Sequence, residues 1–144
     1  MVENMSNVYA RNRKETTLET LNIARELSIT TYKLIMNEKK IPKKHRYFIG
    51  KSLFNTTEKV IENIFRANNI FPRTKEDLQR RKAYQENANQ ECSLFLNFLE
   101  LYSSVLPELN YKDIEKLSNL AIRIKQMLTN WIKSDIKEFE KLTN

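Results

Sequence analysis

Apolar residues recur along much of this chain at intervals of three and four positions, which is the spacing of one face of an α-helix. The clearest example lies between residues 42 and 67, where the apolar set is Ile49, Leu53, Val60 and Ile64. Pro42 suits the first turn of such a helix, because its missing N–H would have no partner there. The pattern therefore predicts an amphipathic helix over this stretch.

Three further segments have the same period. The first follows a capping-box pair, Thr16 and Glu19, and continues to about residue 36, which leaves residues 1–15 as a flexible N-terminal arm. Thr74 is a candidate N-cap for a helix that continues to about Val105. Asn110 begins the last helix. Four helices with short connections predict an all-α, up-down-up-down four-helix bundle over residues 16–144.

The second half of the third helix is apolar on two faces. One stripe consists of Cys92, Phe95, Leu99 and Tyr102. The other consists of Leu94, Phe98, Leu101 and Val105. A helix of a monomeric bundle needs only one buried stripe, so the second stripe predicts a subunit interface in a homo-oligomer.

Two residues interrupt the apolar face of the second helix. Arg46 lies three positions before Ile49 and should point toward the core, either paired with an acid at the end of the bundle or in contact with a ligand. Gly50 is the only glycine in the chain. A glycine inside a helix costs about 1 kcal/mol relative to alanine. Its presence predicts the close approach of another backbone.

The composition argues against most enzyme classes. One glycine is too few for a phosphate-binding or dinucleotide-binding loop, and one cysteine with one histidine, His45, does not suggest a zinc site. Cys92 lies in an apolar stripe, which is typical of a core residue. We therefore predict a non-enzymatic protein without a metal or cofactor. Without a long apolar run or a signal peptide, it should be cytoplasmic and should not associate with a membrane.

The positive charge is concentrated in one third of the chain. Residues 38–82 hold 13 Lys and Arg against 5 Asp and Glu, a net charge of +8, whereas all other residues hold 12 against 13, a net charge of −1. This asymmetry favours a polyanionic partner. The candidate nucleic-acid-binding residues are Lys43, Lys44, Arg46, Lys51, Lys59, Arg66, Arg73, Lys75, Arg80, Arg81 and Lys82. The alternative interpretation is a solvated face that only increases solubility.

Two segments resemble a known family. The run from Ile41 to Gly50, Ile-Pro-Lys-Lys-His-Arg-Tyr-Phe-Ile-Gly, resembles the start of the second helix in the accessory variability determinant proteins of diversity-generating retroelements. Met-Leu-Thr-Asn-Trp-Ile-Lys-Ser, from Met127 to Ser134, resembles the tryptophan segment near the end of their last helix. The order and lengths of the helices agree over residues 18–139. The rRNA intervening-sequence proteins are related four-helix bundles.

The resemblance implies a pentameric barrel of four-helix bundles with a basic surface. Such proteins bind the reverse transcriptase of the retroelement together with RNA or DNA, support mutagenic retrohoming, and have no known catalytic activity. The positions that match are Pro42, Lys43, Arg46, Gly50, Trp131 and Lys133. This chain departs from the more basic members because it has no Lys or Arg between Lys82 and Lys112.

The leading expectation is therefore an oligomeric, nucleic-acid-binding accessory of a reverse transcriptase. The alternatives are a protein-interaction bundle that docks an acidic partner and an RNA-binding protein of the intervening-sequence type. Binding should be electrostatic and weakly sequence-specific. We expect few exposed aromatic residues among the charges, so duplexes should bind as readily as single strands.

Overall fold

The computed structural model describes the backbone of residues 2–143 and the side chains of residues 18–143. Within these residues the chain forms four long helical segments and no strand. The segments are α1 (Val2–Ile35), α2 (residues 43–68), α3 (Lys75–Val105) and α4 (Tyr111–Thr143). Helices α1 and α3 each pack against both α2 and α4. The predicted all-α helical bundle is confirmed.

The first helix is longer than the sequence pattern predicts. It begins at Val2, so Thr16 and Glu19 lie inside it and the predicted helix start at this pair is wrong. The side chains of residues 1–17 lie outside the described residues. A flexible arm at residues 1–15 and a bundle that starts at residue 16 therefore stay predictions.

The predicted starts of α3 and α4 are confirmed by their capping hydrogen bonds. The hydroxyl of Thr74 accepts a hydrogen bond from the backbone N–H of Asp77 at 3.1 Å. The Asn110 side chain accepts one from the backbone N–H of Asp113 at 3.0 Å. Each cap satisfies one of the N–H groups that have no partner within the helix.

Helix α2 is irregular in its first three turns. It consists of a 3₁₀ turn (Lys43–His45), an α-helical turn (Arg46–Ile49), a π-helical turn (Gly50–Phe54) and an α-helix (Asn55–Asn68). A Cβ atom added to Gly50 would lie 3.4 Å from the Ile35 Cγ2 atom, which is ordinary van der Waals contact. The neighbour of Gly50 is thus a side-chain methyl group of α1. The predicted close approach of a backbone is wrong.

The two apolar stripes of α3 have different environments. Cys92, Phe95 and Leu99 are buried in the core, while Tyr102 is half-buried and its hydroxyl hydrogen-bonds the hydroxyl of Ser52 on α2. In the second stripe, Leu94, Leu101 and Val105 are 40%, 53% and 62% exposed. Phe98 is half-buried and stacks on Tyr102, with ring centroids 6.1 Å apart. The second stripe is therefore mostly solvent-facing in the single chain.

A charged pair lies in the core at the end of the bundle where α3 begins. Arg81 is fully buried, and the side chain of Asp135 on α4 is 4% exposed. The Arg81 Nη2 donates to Asp135 Oδ1 at 2.9 Å, and its Nε lies 2.8 Å from Oδ2. Gln85 also donates to Oδ2, at 2.8 Å. The two carboxylate oxygens are thus held by two residues of α3.

The remaining surface of the Arg81 guanidinium is also occupied. Its Nη1 donates to the backbone carbonyl of Ile70 at 3.2 Å, and its carbon lies 4.9 Å from the centre of the Trp131 ring. Charged groups removed from water are tolerated only when such partners replace the lost hydration. The pair joins α3, α4 and the turn that follows α2.

Removal of either member of this pair should strongly destabilise the bundle. We expect Arg81→Ala or Asp135→Ala to lower the free energy of unfolding by about 3–5 kcal/mol, because the other charge stays buried without its partner. Urea denaturation followed by circular dichroism measures the change. Arg80→Ala is the control, since Arg80 is exposed and lies 3.7 Å from Asp77, and it should cost less than about 1 kcal/mol.

The double variant Arg81→Met/Asp135→Leu separates the loss of the pair from the loss of packing. It removes both charges together, so it should be more stable than either single alanine variant. Single variants as stable as the native chain would contradict the role assigned to the pair.

Candidate nucleic-acid interface

Nine of the eleven basic residues selected from the sequence lie exposed on α2, on the following turn and on the start of α3. They are Lys43, Lys44, Lys51, Lys59, Arg66, Arg73, Lys75, Arg80 and Lys82. On α2, four of these residues recur every seven or eight positions and so lie along one outer face. The start of α3 places the others at the far end of α2, because the two helices form an antiparallel hairpin. We call this set the basic strip.

Arg81 does not belong to the basic strip, and its prediction as a nucleic-acid contact is wrong. It is fully buried, and its guanidinium is held by Asp135 and by the carbonyl of Ile70. A phosphate cannot reach this group without opening the bundle. Its helical position explains the difference, because Arg81, Gln85, Ala88 and Cys92 recur at intervals of four and three along the core face of α3.

Arg46 is a structural residue near the start of α2, beside the end of α1. Its side chain is 21% exposed, its Nε donates to the Ile35 carbonyl at 3.2 Å, and its Nη2 lies 3.8 Å from Glu38. The carbonyl of Ile35 is at the C-terminal end of α1, where carbonyls lack helical partners and a cation is favourable. Of the two interpretations of Arg46, the structure favours pairing at the end of the bundle.

Three residues of the basic strip have acidic neighbours on their own helix. Arg66 lies 2.7 Å from Glu62, while Arg80 lies 3.7 Å from Asp77 and Lys82 lies 3.8 Å from Glu86. The pKa of Arg66 is raised by its hydrogen bonds to Tyr84 and Glu62. Exposed pairs of this kind contribute little to stability, so a phosphate can compete with the carboxylate.

The other six residues of the basic strip have no ion pair with any described residue. They are Lys43, Lys44, Lys51, Lys59, Arg73 and Lys75. Their charges are not offset locally, which makes them the groups best placed to attract an anionic partner.

Exposed aromatic side chains lie among these cations, contrary to the expectation from sequence. Phe71 is 40% exposed and its ring centre lies 5.8 Å from the Arg73 guanidinium carbon, and two more rings lie beside the lysines at the start of α2. Tyr47 and Phe48 are 69% and 71% exposed, and the Nζ atom of Lys51 lies 5.8 Å from the centre of the Tyr47 ring. The sequence carries a signal for both. They come one and two residues before Ile49, outside the spacing of three and four that defines the core face.

The remaining candidate groups are one histidine and one cysteine. His45 is half-buried at the start of α2, and Cys92 is buried in the core. No group of three or more His, Cys, Asp or Glu among the described residues is arranged to hold a metal ion. None of the described helices combines the length and the apolar character that crossing a bilayer requires.

Comparisons of this chain with family profiles, with curated proteins and with solved structures find no match.

The Cys92 thiol should be inert in the folded protein. Its burial raises its pKa to about 12, with Glu91 adding to the effect and Lys125 opposing it. The thiolate is the reactive form, so a maleimide should label Cys92 only after denaturation. Ser134→Cys places a second thiol at an exposed site of α4 and should label in the native state. Rapid labelling of native Cys92 would show that this core opens readily.

Proposed function

We propose that this protein is a non-enzymatic, cytoplasmic accessory that binds RNA or DNA through the basic strip and acts together with a reverse transcriptase. The observation that carries the proposal is the set of six exposed cations without an ion pair to any described residue. A nucleic acid supplies regularly spaced phosphates, and their neutralisation releases counterions. The basic strip extends from the start of α2 to the start of α3, so it can contact several phosphates of one strand.

The reverse transcriptase enters the proposal through the family resemblance of residues 41–50 and 127–134. Two of the matching residues, Arg46 and Trp131, have structural roles here. Arg46 caps the end of α1, and Trp131 lies under the Arg81 guanidinium. Lys43, a third matching residue, is exposed on the basic strip. The match is thus compatible with a shared bundle that presents a basic surface.

We further propose that the protein is a homo-oligomer, with five subunits as the number that the resemblance implies. The second stripe of α3 supports an assembled state, because Leu94, Leu101 and Val105 leave apolar side chains in contact with water. An oligomer would repeat the basic strip in every subunit and multiply its phosphate contacts.

A charge on the second stripe should dissociate the oligomer and leave the bundle folded. Leu101→Lys is the sharpest variant, since Leu101 is 53% exposed, whereas Phe98 also packs against the core. Leu128→Lys is the matched control, because a charge at a fully buried position should unfold the bundle. Light scattering measures the mass and circular dichroism the helicity. A native chain with the 17.2 kDa mass of one subunit would contradict the proposed assembly.

Binding to nucleic acid should weaken steeply with salt. The triple variant Lys59→Ala/Arg73→Ala/Lys75→Ala should flatten the plot of log affinity against log salt concentration. We expect the slope to become less negative by about 0.9 for each phosphate of duplex DNA that the variant no longer neutralises. Sequence preference should not change, because phosphate contacts carry no sequence information. Arg123→Ala is the control, since Arg123 lies on α4 and pairs with Glu19 at 3.5 Å.

A pull-down with the reverse transcriptase, run beside the salt titration, tests the other interpretation of the charges. Transcriptase binding without nucleic-acid binding at low salt would make the basic strip a docking surface for an acidic protein. The exposed apolar residues of α3 favour that second candidate, because protein interfaces combine apolar area with charge.

A further inference from the structure

We propose that Tyr47 and Phe48 form a base-stacking platform, which makes single-stranded nucleic acid the preferred ligand of the basic strip. The inference rests on the proposed function and specifies its ligand. It replaces the expectation that duplexes bind equally well, because that expectation assumed a strip with few exposed aromatic residues.

The rings of Tyr47 and Phe48 are exposed to solvent and face two different directions. Their centroids are 5.6 Å apart and their planes make an angle of 80°, an edge-to-face contact in which each ring leaves at least one face uncovered by the other. Their exposures of 69% and 71% are among the highest of the described large apolar side chains. Isolated exposed aromatic residues are common, but two adjacent rings within a cluster of cations are the arrangement that binds unpaired bases.

The lysines around the rings can bind the phosphates that flank a stacked base. Lys43 and Lys44 lie in the 3₁₀ turn that leads directly into the turn of Tyr47 and Phe48, and Lys51 follows Tyr47 by four residues, so the cations lie in the turns next to the rings. The Lys51 Nζ lies 5.8 Å from the Tyr47 ring centre. None of the three lysines has an ion pair with a described residue.

The backbone beneath the platform is held in place. Ile49 is 3% exposed and anchors the same turn in the core, and Arg46 ties its start to the carbonyl of Ile35. The π-helical turn follows directly, and its Ser52 hydroxyl bonds to Tyr102 of α3. Turns of this type occur frequently at functional sites. A fixed backbone reduces the conformational freedom that is lost when a base binds to the rings.

Stacking distinguishes single strands from duplexes. Each base stacked on an aromatic side chain contributes about 1–3 kcal/mol to binding. The bases of a duplex already stack on one another, so a duplex gains only the phosphate contacts of the basic strip. The geometry favours nucleic acid over a membrane surface, because membrane-bound helices present a broad apolar face and here Ser52 and Asn55 follow the rings.

The test compares strands that have the same phosphates with and without bases. A fluorescent oligothymidine of about 15 nucleotides, an abasic oligomer of the same length and a matching duplex are titrated at constant salt. We expect the native protein to bind oligothymidine about 5- to 150-fold more tightly than the abasic oligomer if one base is stacked. Tyr47→Ala/Phe48→Ala should remove that difference and leave the salt dependence unchanged.

Two control variants separate stacking from charge. Phe65→Ala removes a ring of α2 that is 57% exposed and adjoins Arg66, whose charge is paired with Glu62, and it should have no effect. Lys43→Ala/Lys44→Ala should weaken binding of the oligothymidine and of the abasic oligomer to the same extent.

Each contrary result has its own meaning. Equal affinity of the native protein for the two oligomers overturns the stacking platform but leaves the proposed function standing. Absence of binding to all three ligands at low salt overturns both. A change in molecular mass for Tyr47→Ala/Phe48→Ala would assign the rings to a subunit contact. Loss of binding to phosphatidylserine vesicles, with oligothymidine binding unchanged, would assign them to a membrane surface, and either result overturns the platform.

Discussion

The buried ion pair between Arg81 and Asp135 is the constraint on which this bundle depends at one end. Two charges in the core are costly unless each finds several partners, and here Gln85, the carbonyl of Ile70 and the Trp131 ring supply them. The partners come from α3, from α4 and from the turn after α2. The pair therefore fixes how three segments meet, which hydrophobic contacts alone specify less strictly.

This constraint also decides which charges can act at the surface. The sequence between Arg80 and Lys82 reads as three adjacent cations, but the middle one is used inside the bundle. At the other end, Arg46 is used in the same way, to cap α1. The charges that remain exposed belong to side chains that make no contact in the core of the bundle. We therefore expect the lysines of the basic strip to be replaceable without loss of the bundle.

The fold was largely predictable because helical period, caps and prolines act locally. Thr74 and Asn110 cap the helices as predicted, and the core stripe of Cys92, Phe95 and Leu99 is buried. The burial of Arg81 and the exposure of Tyr47 also follow from the helical period, when each position is compared with the core residues of its own helix. Arg81 continues the core stripe toward the start of α3, whereas Tyr47 lies off the core positions of α2. Pairing with Asp135 could not be predicted, because it depends on the register between two helices that are distant in sequence.

The proposed assembly and the proposed nucleic-acid binding rest on different helices of this bundle. The apolar side chains that would join subunits belong to α3, and the rings of Tyr47 and Phe48 with the lysines around them belong to α2. Leu101 adjoins Tyr102, whose hydroxyl bonds to Ser52 of α2, so a subunit contact through Leu101 would lie at the same end of the bundle as Tyr47 and Lys51. If both proposals hold, each added subunit contributes another platform to the same particle. A single strand could then pass from one platform to the next, and its affinity would grow with the number of subunits it spans.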